Sequence, residues 1–432
     1  MSQDNQSTEM PRREFLRTAG VVTAATMAGG LLTSGVWSQG DDKIRIGLIG
    51  CGSRGKGAAV QAANSSPNVE LYAMGDLFPD HLEKALGDLK EPLGDRLNAT
   101  AERCFTGFDA YQKVLATEVN YVILATPPGF RPQHLRAAVE AGKHVFMEKP
   151  VAVCPAGVRH VIASGELAKQ KSLGVVAGTQ YRHHDGYRDM TKRVHDGAIG
   201  RIVAAQSYYN TGTLWKYDRQ PGWTDIEWQI RNWLYFTWLA GDHIVEQAIH
   251  YIDTVNWFLQ GHPVECVCIG GRQVRTDPAY GHIYDHFLCD YTYPDGVKVM
   301  HMCRQMDNCD NRVGEFIIGT EGTADGINGV IQSKESYKTS FKPGISGLGQ
   351  AYVQEHGDLI ASIRAGQPLN EAQEVAETCL TGIMARMSAY TGKKVTWDFA
   401  MNESKLDLMR DVTAFGDMPV DEVAVPGKTP LI

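Results

Sequence analysis

The chain has 432 residues, enough for two or three folding units, and its 43% hydrophobic and 21% charged residues are those of an ordinary globular protein. A formal net charge of −8 argues against nucleic acid or an anionic membrane surface as the main partner. Nothing after Trp37 approaches the ~20 uncharged apolar residues of a membrane span. The nine cysteines are dispersed without a CxxC pair, which excludes a disulfide framework.

Residues 1–40 read as a segment outside the fold. Pro11-Arg12-Arg13-Glu14-Phe15-Leu16-Arg17 is a twin-arginine pattern, and Ala19 to Trp37 contains no Lys, Arg, Asp or Glu. Such an order reads as a Tat export signal, so the expectation is a periplasmic or otherwise exported protein handled by the Tat machinery. Pro11 stands before the arginines, where Ser or Thr is commoner.

Residues 41–185 alternate apolar runs with helical patterns, as stacked βα units do. Ile44, Ile46, Leu48 and Ile49 form a short run dense enough for a strand buried on both faces. It leads into Gly50-x-Gly52-x-x-Gly55 and a helix-compatible segment, Ala58 to Asn64. In a dinucleotide fold the first glycine permits the tight turn and the second lets backbone approach the pyrophosphate. The third lets helix pack on strand, with the anion seated on the helix N-terminus. A second run, Val69 to Met74, ends at Asp76, where a carboxylate accepts the ribose hydroxyls and favours NAD. The guanidinium of Arg54, in the turn, is within reach of a 2′-phosphate and keeps NADP as the alternative. Further strands are read at Tyr121–Ala125, His144–Met147 and Leu173–Ala177.

After Gly200 the texture changes. Strand-like runs at 202–209, 264–269, 287–293, 297–303 and 315–318 follow one another with few helices between, which predicts an open, largely antiparallel sheet. Residues 186–400 are therefore expected to form an α+β domain for substrate binding and oligomerisation, with helices at 355–365 and 372–391. Residues 401–432 form a polar, acidic tail. The fold class expected is α/β: an N-terminal Rossmann dinucleotide-binding domain plus this C-terminal α+β domain.

The string His134…Ala138…Ala141-Gly142-Lys143-His144-Val145…Glu148-Lys149-Pro150, with the glycine turn and Thr126-Pro127, resembles the Gfo/Idh/MocA (glucose–fructose oxidoreductase / inositol dehydrogenase) family from Lys43 to about Phe399. Gly319-Thr320-Glu321-Gly322 is similar to that family's strand-end turn. The resemblance implies cofactor contacts at Thr126, Pro127, His134, Glu148 and Lys149, with Lys149 near nicotinamide and substrate. It implies a later helix carrying the acid–base group, where His250 matches the family's histidine. Glu246 falls where Asp is usual, one methylene longer. It further implies a homo-oligomer built through the second domain's sheet.

Residues 241–253 read as one helix whose polar stripe, Asp242, Glu246 and His250, is spaced i, i+4, i+8. A solvated helix face is the bland alternative, but the preceding Arg231-Asn232-Trp233-Leu234-Tyr235-Phe236-Thr237-Trp238 is too aromatic for free surface. Asp242 is expected at the substrate. Ten aromatic residues between Tyr208 and Trp238, Trp233 among them, suit stacking on a sugar ring or equally a core or subunit interface. Arg182 and His183 follow the last Rossmann strand and are expected to touch substrate. His183-His184-Asp185 and His282…Asp285-His286 lack a recognised zinc spacing, so no metal is expected.

Together these features predict hydride transfer between NAD(P) and a small carbohydrate or polyol, with His250 as base, Glu246 as its partner and Lys149 as electrostatic stabiliser. Export implies a tightly held cofactor, because little free nicotinamide nucleotide is available outside the cytoplasm. The alternative is an NAD-dependent glycosidase, similar to the α-N-acetylgalactosaminidases of this fold, that works by transient oxidation and elimination.

Overall fold

The computed structural model describes residues 42–338 and 348–432. The twin-arginine segment lies outside the described residues. Among those described, no helix is long and apolar enough to cross a membrane.

The first half is a three-layer α/β unit. Its elements are β1 (Ile44–Ile49), α1 (Ser53–Ser65), β2 (Val69–Asp76), α2 (Pro79–Leu93), β3 (Cys104–Thr106) and α3 (Ala110–Leu115). They continue through β4 (Tyr121–Leu124), α4 (Arg131–Glu140), β5 (His144–Met147), α5 (Pro155–Gln170) and β6 (Val175–Ala177). The six strands pair in parallel in the order β3-β2-β1-β4-β5-β6. Every side chain of β4 is fully buried, as covering of both faces requires. The order reverses between β1 and β4, so the crevice beyond their carboxyl ends is where this topology binds ligands.

The second half adds α6 (Asp185–His195), β7 (Ile202–Thr211), α7 (Asp225–Arg231), α8 (Thr237–Ala240), α9 (His243–Glu246) and α10 (Ile249–Leu259). Next come β8 (Glu265–Gly271), β9 (His286–Thr292), β10 (Lys298–Gln305) and β11 (Arg312–Gly319). Short strands follow: β12 (Thr323–Asp325), β13 (Val330–Gln332) and β14 (Tyr337–Lys338). The last elements are α11 (Gly349–Arg364), α12 (Ala372–Thr391) and β15 (Val395–Thr396). The nine strands run β14-β13-β12-β11-β7-β10-β9-β8-β15, antiparallel except for the β7–β10 pair. One face is covered and carries Ser207, Phe287, Cys289, His301 and Cys303. The other leaves Val267, Ile269 and Leu288 exposed.

Two features depart from a simple division of the chain. Helix α11 belongs to the first layer: Leu359, Ile360 and Ile363 share a core with β1 and α1, and Arg364 Nη1 donates to Ser66 Oγ at 2.5 Å. Residues 404–432 contain no further strand or long helix and run across both halves. Leu408 N–H meets Cys154 Sγ at 3.3 Å, and Gln229 Nε2 donates to Met418 O at 2.6 Å.

Cys266 and Cys268, two apart on one strand, both lie on the covered side of β8 beneath α12, and the Cys268 N–H donates to Ser388 Oγ at 2.9 Å. Cys268 pairs in register with Cys289 on β9, and Cys303 lies on the same covered face of the next strand. All the cysteines are free thiols.

Candidate active site

The glycine turn links β1 to α1, and each glycine there has its own reason. Gly50 sits at φ +96°, and a Cβ on it would fall 2.6 Å from the Ala125 carbonyl carbon. A Cβ on Gly55 would lie 2.0 Å from Gly50 O, so only glycine lets the helix approach the strand. At Gly52 a Cβ would meet nothing within 4 Å. The protein itself therefore tolerates a side chain there, and Gly52 lines an open cavity. No side chain caps the start of α1, which leaves its first N–H groups and the positive end of its dipole available to an anion.

Asp76, at the end of β2, is fixed beside this turn. Its carboxylate accepts from Cys51 N at 2.7 Å and from Phe78 N at 2.9 Å, and the His81 ring nitrogen lies 3.5 Å away. Thr126 and Pro127 follow β4 across the switch point. Thr126 Oγ1 lies 3.2 Å from His134 Nδ1, and the His134 ring stacks 4.3 Å from Tyr111. Burial, with the Arg131 guanidinium nearby, pushes His134 down to about 3, so it is a neutral hydrogen-bonding group. A cavity of about 1160 Å³ is lined by the glycine turn, Asp76, Thr126, Pro127 and His134 together with Trp215, Trp223 and Trp233, and Lys149, Glu246 and His250 lie outside its lining. These residues fit a dinucleotide: an open approach at Gly52, an uncapped helix start and a placed acid.

Lys149 stands beyond the end of β5, and its peptide bond to Pro150 is cis. Its Nζ donates to Glu246 O at 2.7 Å and to Glu246 Oε1 at 3.3 Å. The other carboxylate oxygen of Glu246 accepts from the Gln247 side-chain amide, whose own oxygen accepts from Tyr209 OH at 3.1 Å. The His250 ring lies between Tyr181 (6.0 Å, edge-on) and Tyr209 (6.4 Å, stacked), with no hydrogen bond among the described residues. Burial holds its pKa well below the ordinary histidine value, and the charges of Lys149 and Arg54 act in the same direction. The imidazole is neutral and its nitrogens are free.

Several expectations are revised by this geometry. The helix read over 241–253 is broken: α9 ends at Glu246, α10 starts at Ile249, and Asp242 precedes both at φ +72°. Asp242 is wholly buried. Its carboxylate accepts from His243 N (2.5 Å), Tyr284 N (2.9 Å) and Tyr390 OH (2.5 Å), and burial raises its pKa. It is a structural group out of reach of a substrate. Glu246 is occupied by Lys149 and Gln247, so it orients the lysine and not the histidine.

Arg54 does not stand by Asp76. Its guanidinium bonds Glu148, Gln61 Oε1 at 2.6 Å and Glu355 Oε1 at 3.3 Å, and lies 4.8 Å from the Tyr352 ring centre. Glu148 follows β5, three strands from the end of β2, which is roughly 14 Å at the usual strand spacing. The guanidinium is therefore held at the Glu148 end of the cleft by partners of its own.

Arg182 and His183 are also taken. Arg182 chelates Asp253 (2.9 and 3.1 Å) and reaches Glu374 at 3.0 Å. Burial alone would lower His183, but a hydrogen bond to Asp358 (2.7 Å) and the Glu371 carboxylate 3.3 Å away outweigh it and raise the pKa to about 9. Both tie the last Rossmann strand to α10, α11 and α12. Trp233 does line the cavity, 6.1 Å from Trp215. Among the described residues no group of three or more His, Cys, Asp or Glu is placed to hold a metal ion. The residues that sequence reasoning missed are Gln247, Tyr352 and Glu355. The last two lie on a helix with no motif to mark it.

Two family models match the chain in tandem. One, an oxidoreductase family with an NAD-binding Rossmann fold, covers residues 44–178, and the other, the GFO/IDH/MocA C-terminal domain, covers 187–325. The chain belongs to the Gfo/Idh/MocA family. Among curated members, an inositol 2-dehydrogenase of Saccharopolyspora erythraea is 25% identical over 59% of this chain, which spans 65% of that relative's length. Solved structures include scyllo-inositol dehydrogenase from Lactobacillus casei with NAD(H) and scyllo-inositol (TM-score 0.63, 19% identity, 82% of this chain and 99% of that one). Levoglucosan dehydrogenase with NADH and levoglucosan aligns at TM-score 0.64 and 18% identity over 82% and 99% of the two chains. These likenesses show that the Gfo/Idh/MocA chain shares their fold: a Rossmann domain followed by a mostly antiparallel sheet.

Proposed function

We propose that this protein is an exported NAD-dependent dehydrogenase of a carbohydrate or polyol, with His250 as general base and Lys149 as its electrostatic partner. The observation that carries the reading is the pairing of a fixed ammonium with a neutral, unbonded imidazole. An ammonium has three N–H donors, and Glu246 occupies two of those on Lys149. The third is free for the oxygen of the carbon to be oxidised, where it stabilises developing negative charge. A neutral ring nitrogen of His250 takes the hydroxyl proton. Tyr181 and Tyr209 enclose the ring and limit water around it. Bound nicotinamide supplies the hydride acceptor. NAD is favoured over NADP because Asp76 marks the ribose position and Arg54 is engaged by Glu148, Gln61 and Glu355.

Relatives named for inositol and levoglucosan support a hydroxylated ring as substrate. The twin-arginine segment supports export of a folded protein with its cofactor held tightly. The exposed Val267, Ile269 and Leu288 support a homo-oligomer through the second sheet. The test is incubation of the purified protein with a panel of polyols, sugars and aryl glycosides, with products identified by mass spectrometry. A keto-sugar or lactone is expected. Release of aglycone without net oxidation would replace this reading with the redox-assisted glycosidase.

A further inference from the structure

The tail has a feature that neither the family match nor the catalytic group accounts for. Asp411, Val412 and Thr413 line the same cavity as Asp76 and Phe78. They belong to a stretch with no helix or strand, yet it is tied down on both sides. Upstream, Leu408 N–H meets Cys154 Sγ, and the Arg410 guanidinium lies 5.6 Å from the Trp238 ring centre while pairing with Asp421 at 3.1 Å. Downstream, Ile226 N donates to Gly416 O at 3.2 Å and Met418 N to Asp225 Oδ2 at 3.0 Å.

Between these anchors Phe415 packs on the residue that aims the acid. Its ring stacks on Phe78 at 5.8 Å and 12°, and meets Phe108 edge-on at 5.1 Å. Phe78 is the residue whose N–H donates to Asp76. Phe78 also meets the His81 ring edge-on at 5.1 Å and Arg231, whose guanidinium lies 3.8 Å from the ring centre and bonds Asp80 at 3.0 Å. The Asp76 end of the cleft is thus roofed by parts of the chain outside the Rossmann domain.

We propose that residues 411–415 form a strap over the adenosine half of a bound dinucleotide, and that the strap must lift before the cofactor can exchange. The proposal rests on the dinucleotide reading of the cleft, because the acid at the end of the second strand marks the ribose position. A segment without helix or sheet hydrogen bonds is also the element that opens at least cost. Its aromatic anchor sets the rate of opening, and the Lys149 end of the site plays no part in it.

The test follows release of NADH from the full-length protein after mixing with excess NAD, read as loss of energy transfer from the cavity tryptophans. Replacing the anchor by Phe415→Ala is expected to speed release about fivefold or more, the scale of one stacked aromatic contact. In the unaltered protein, amide exchange at residues 409–418 is expected to slow when NAD is added. Release from Phe415→Ala within about twofold of the parent, together with tail exchange indifferent to NAD, overturns the strap. A parent protein that binds neither NAD nor NADH overturns the dinucleotide reading itself, which is a separate result.

Discussion

At the glycine turn the constraints are set by main-chain atoms, whereas at Lys149 they are set by side chains brought from far apart. A Cβ added at Gly50 would fall 2.6 Å from the Ala125 carbonyl carbon and one at Gly55 2.0 Å from Gly50 O, so main-chain atoms exclude a side chain at both. Lys149, Glu246, His250 and Arg54 come from β5, two separate helices and the glycine turn, and Arg54 is held by Glu355 301 residues away. The first region is open and the second is crowded. That difference tells which changes destroy the fold, which destroy the chemistry and which do neither.

The largest expected effect separates two glycines of one motif. Gly55→Val should give no soluble folded protein, because its side chain would overlap Gly50 O, whereas Gly52→Val should fold and lose NAD affinity. Thermal melts and NAD titration read the two outcomes, and equal behaviour would dissolve the distinction between a packing glycine and a binding one.

At the crowded end, Lys149→Ala and His250→Asn should each cut turnover by roughly 10²–10⁴-fold while NAD affinity stays within about threefold. Single-turnover kinetics beside a binding titration checks this. Parent-like turnover in both variants would move the chemistry elsewhere.

Arg182→Ala sharpens the comparison from the other side. Losing this guanidinium strands Asp253 and should cost roughly 3–5 kcal/mol of stability. Turnover per folded molecule should be unchanged. Urea unfolding and active-site titration distinguish that from a substrate role.

The smallest effect is in the pH profile. His250 is held below its ordinary value, so the acid limb of kcat/KM should fall below the ~6.5 of a free histidine. Lys149→Gln removes one of the charges that lower it, so the limb should move up toward neutrality in the residual activity. The same sign applies to stability. His134 and His301, at about 3, and His144 and His282, at about 4, stay neutral in the fold but charge in the unfolded chain below ~6.5. Stability from these groups should be full at pH 7 and fall as pH drops toward 4. Glu315, raised to about 8 by burial, and Asp242 and Glu355, raised by the same cause, oppose this, while His243, His250 and His356, lowered by burial, act with it. Urea midpoints at pH 7, 5.5 and 4.5 give the slope.

The Rossmann half was legible because its signals are local. Strand β1, the glycine turn and Asp76 lie within 33 residues, and the bounds read for β1, β5 and α12 match those observed. The second sheet was legible in its long strands, whereas β12, β13 and β14 are too short to carry a period. The polar stripe misled because i, i+4 spacing assumes one continuous helix. The consecutive positive φ values of Gly241 (+78°) and Asp242 restart the chain and turn Asp242 inward. Arg182 and His183 were misread because their partners lie 71 and 175 residues away, and a sequence does not show which carboxylate a cation will meet.

The thiols beneath the second sheet set an order of events. Burial pushes Cys268 and Cys303 well above the ordinary thiol range, which suppresses the thiolate that disulfide exchange requires. Before the sheet closes, the same thiols titrate near ~8.5, and Cys268 and Cys289 sit on strands that must come into register. A covalent bond made early would freeze whatever register it found. The interior of this sheet is therefore a clock: strand pairing has to finish before the chain meets an oxidant, and afterwards the compartment's redox state no longer matters to it.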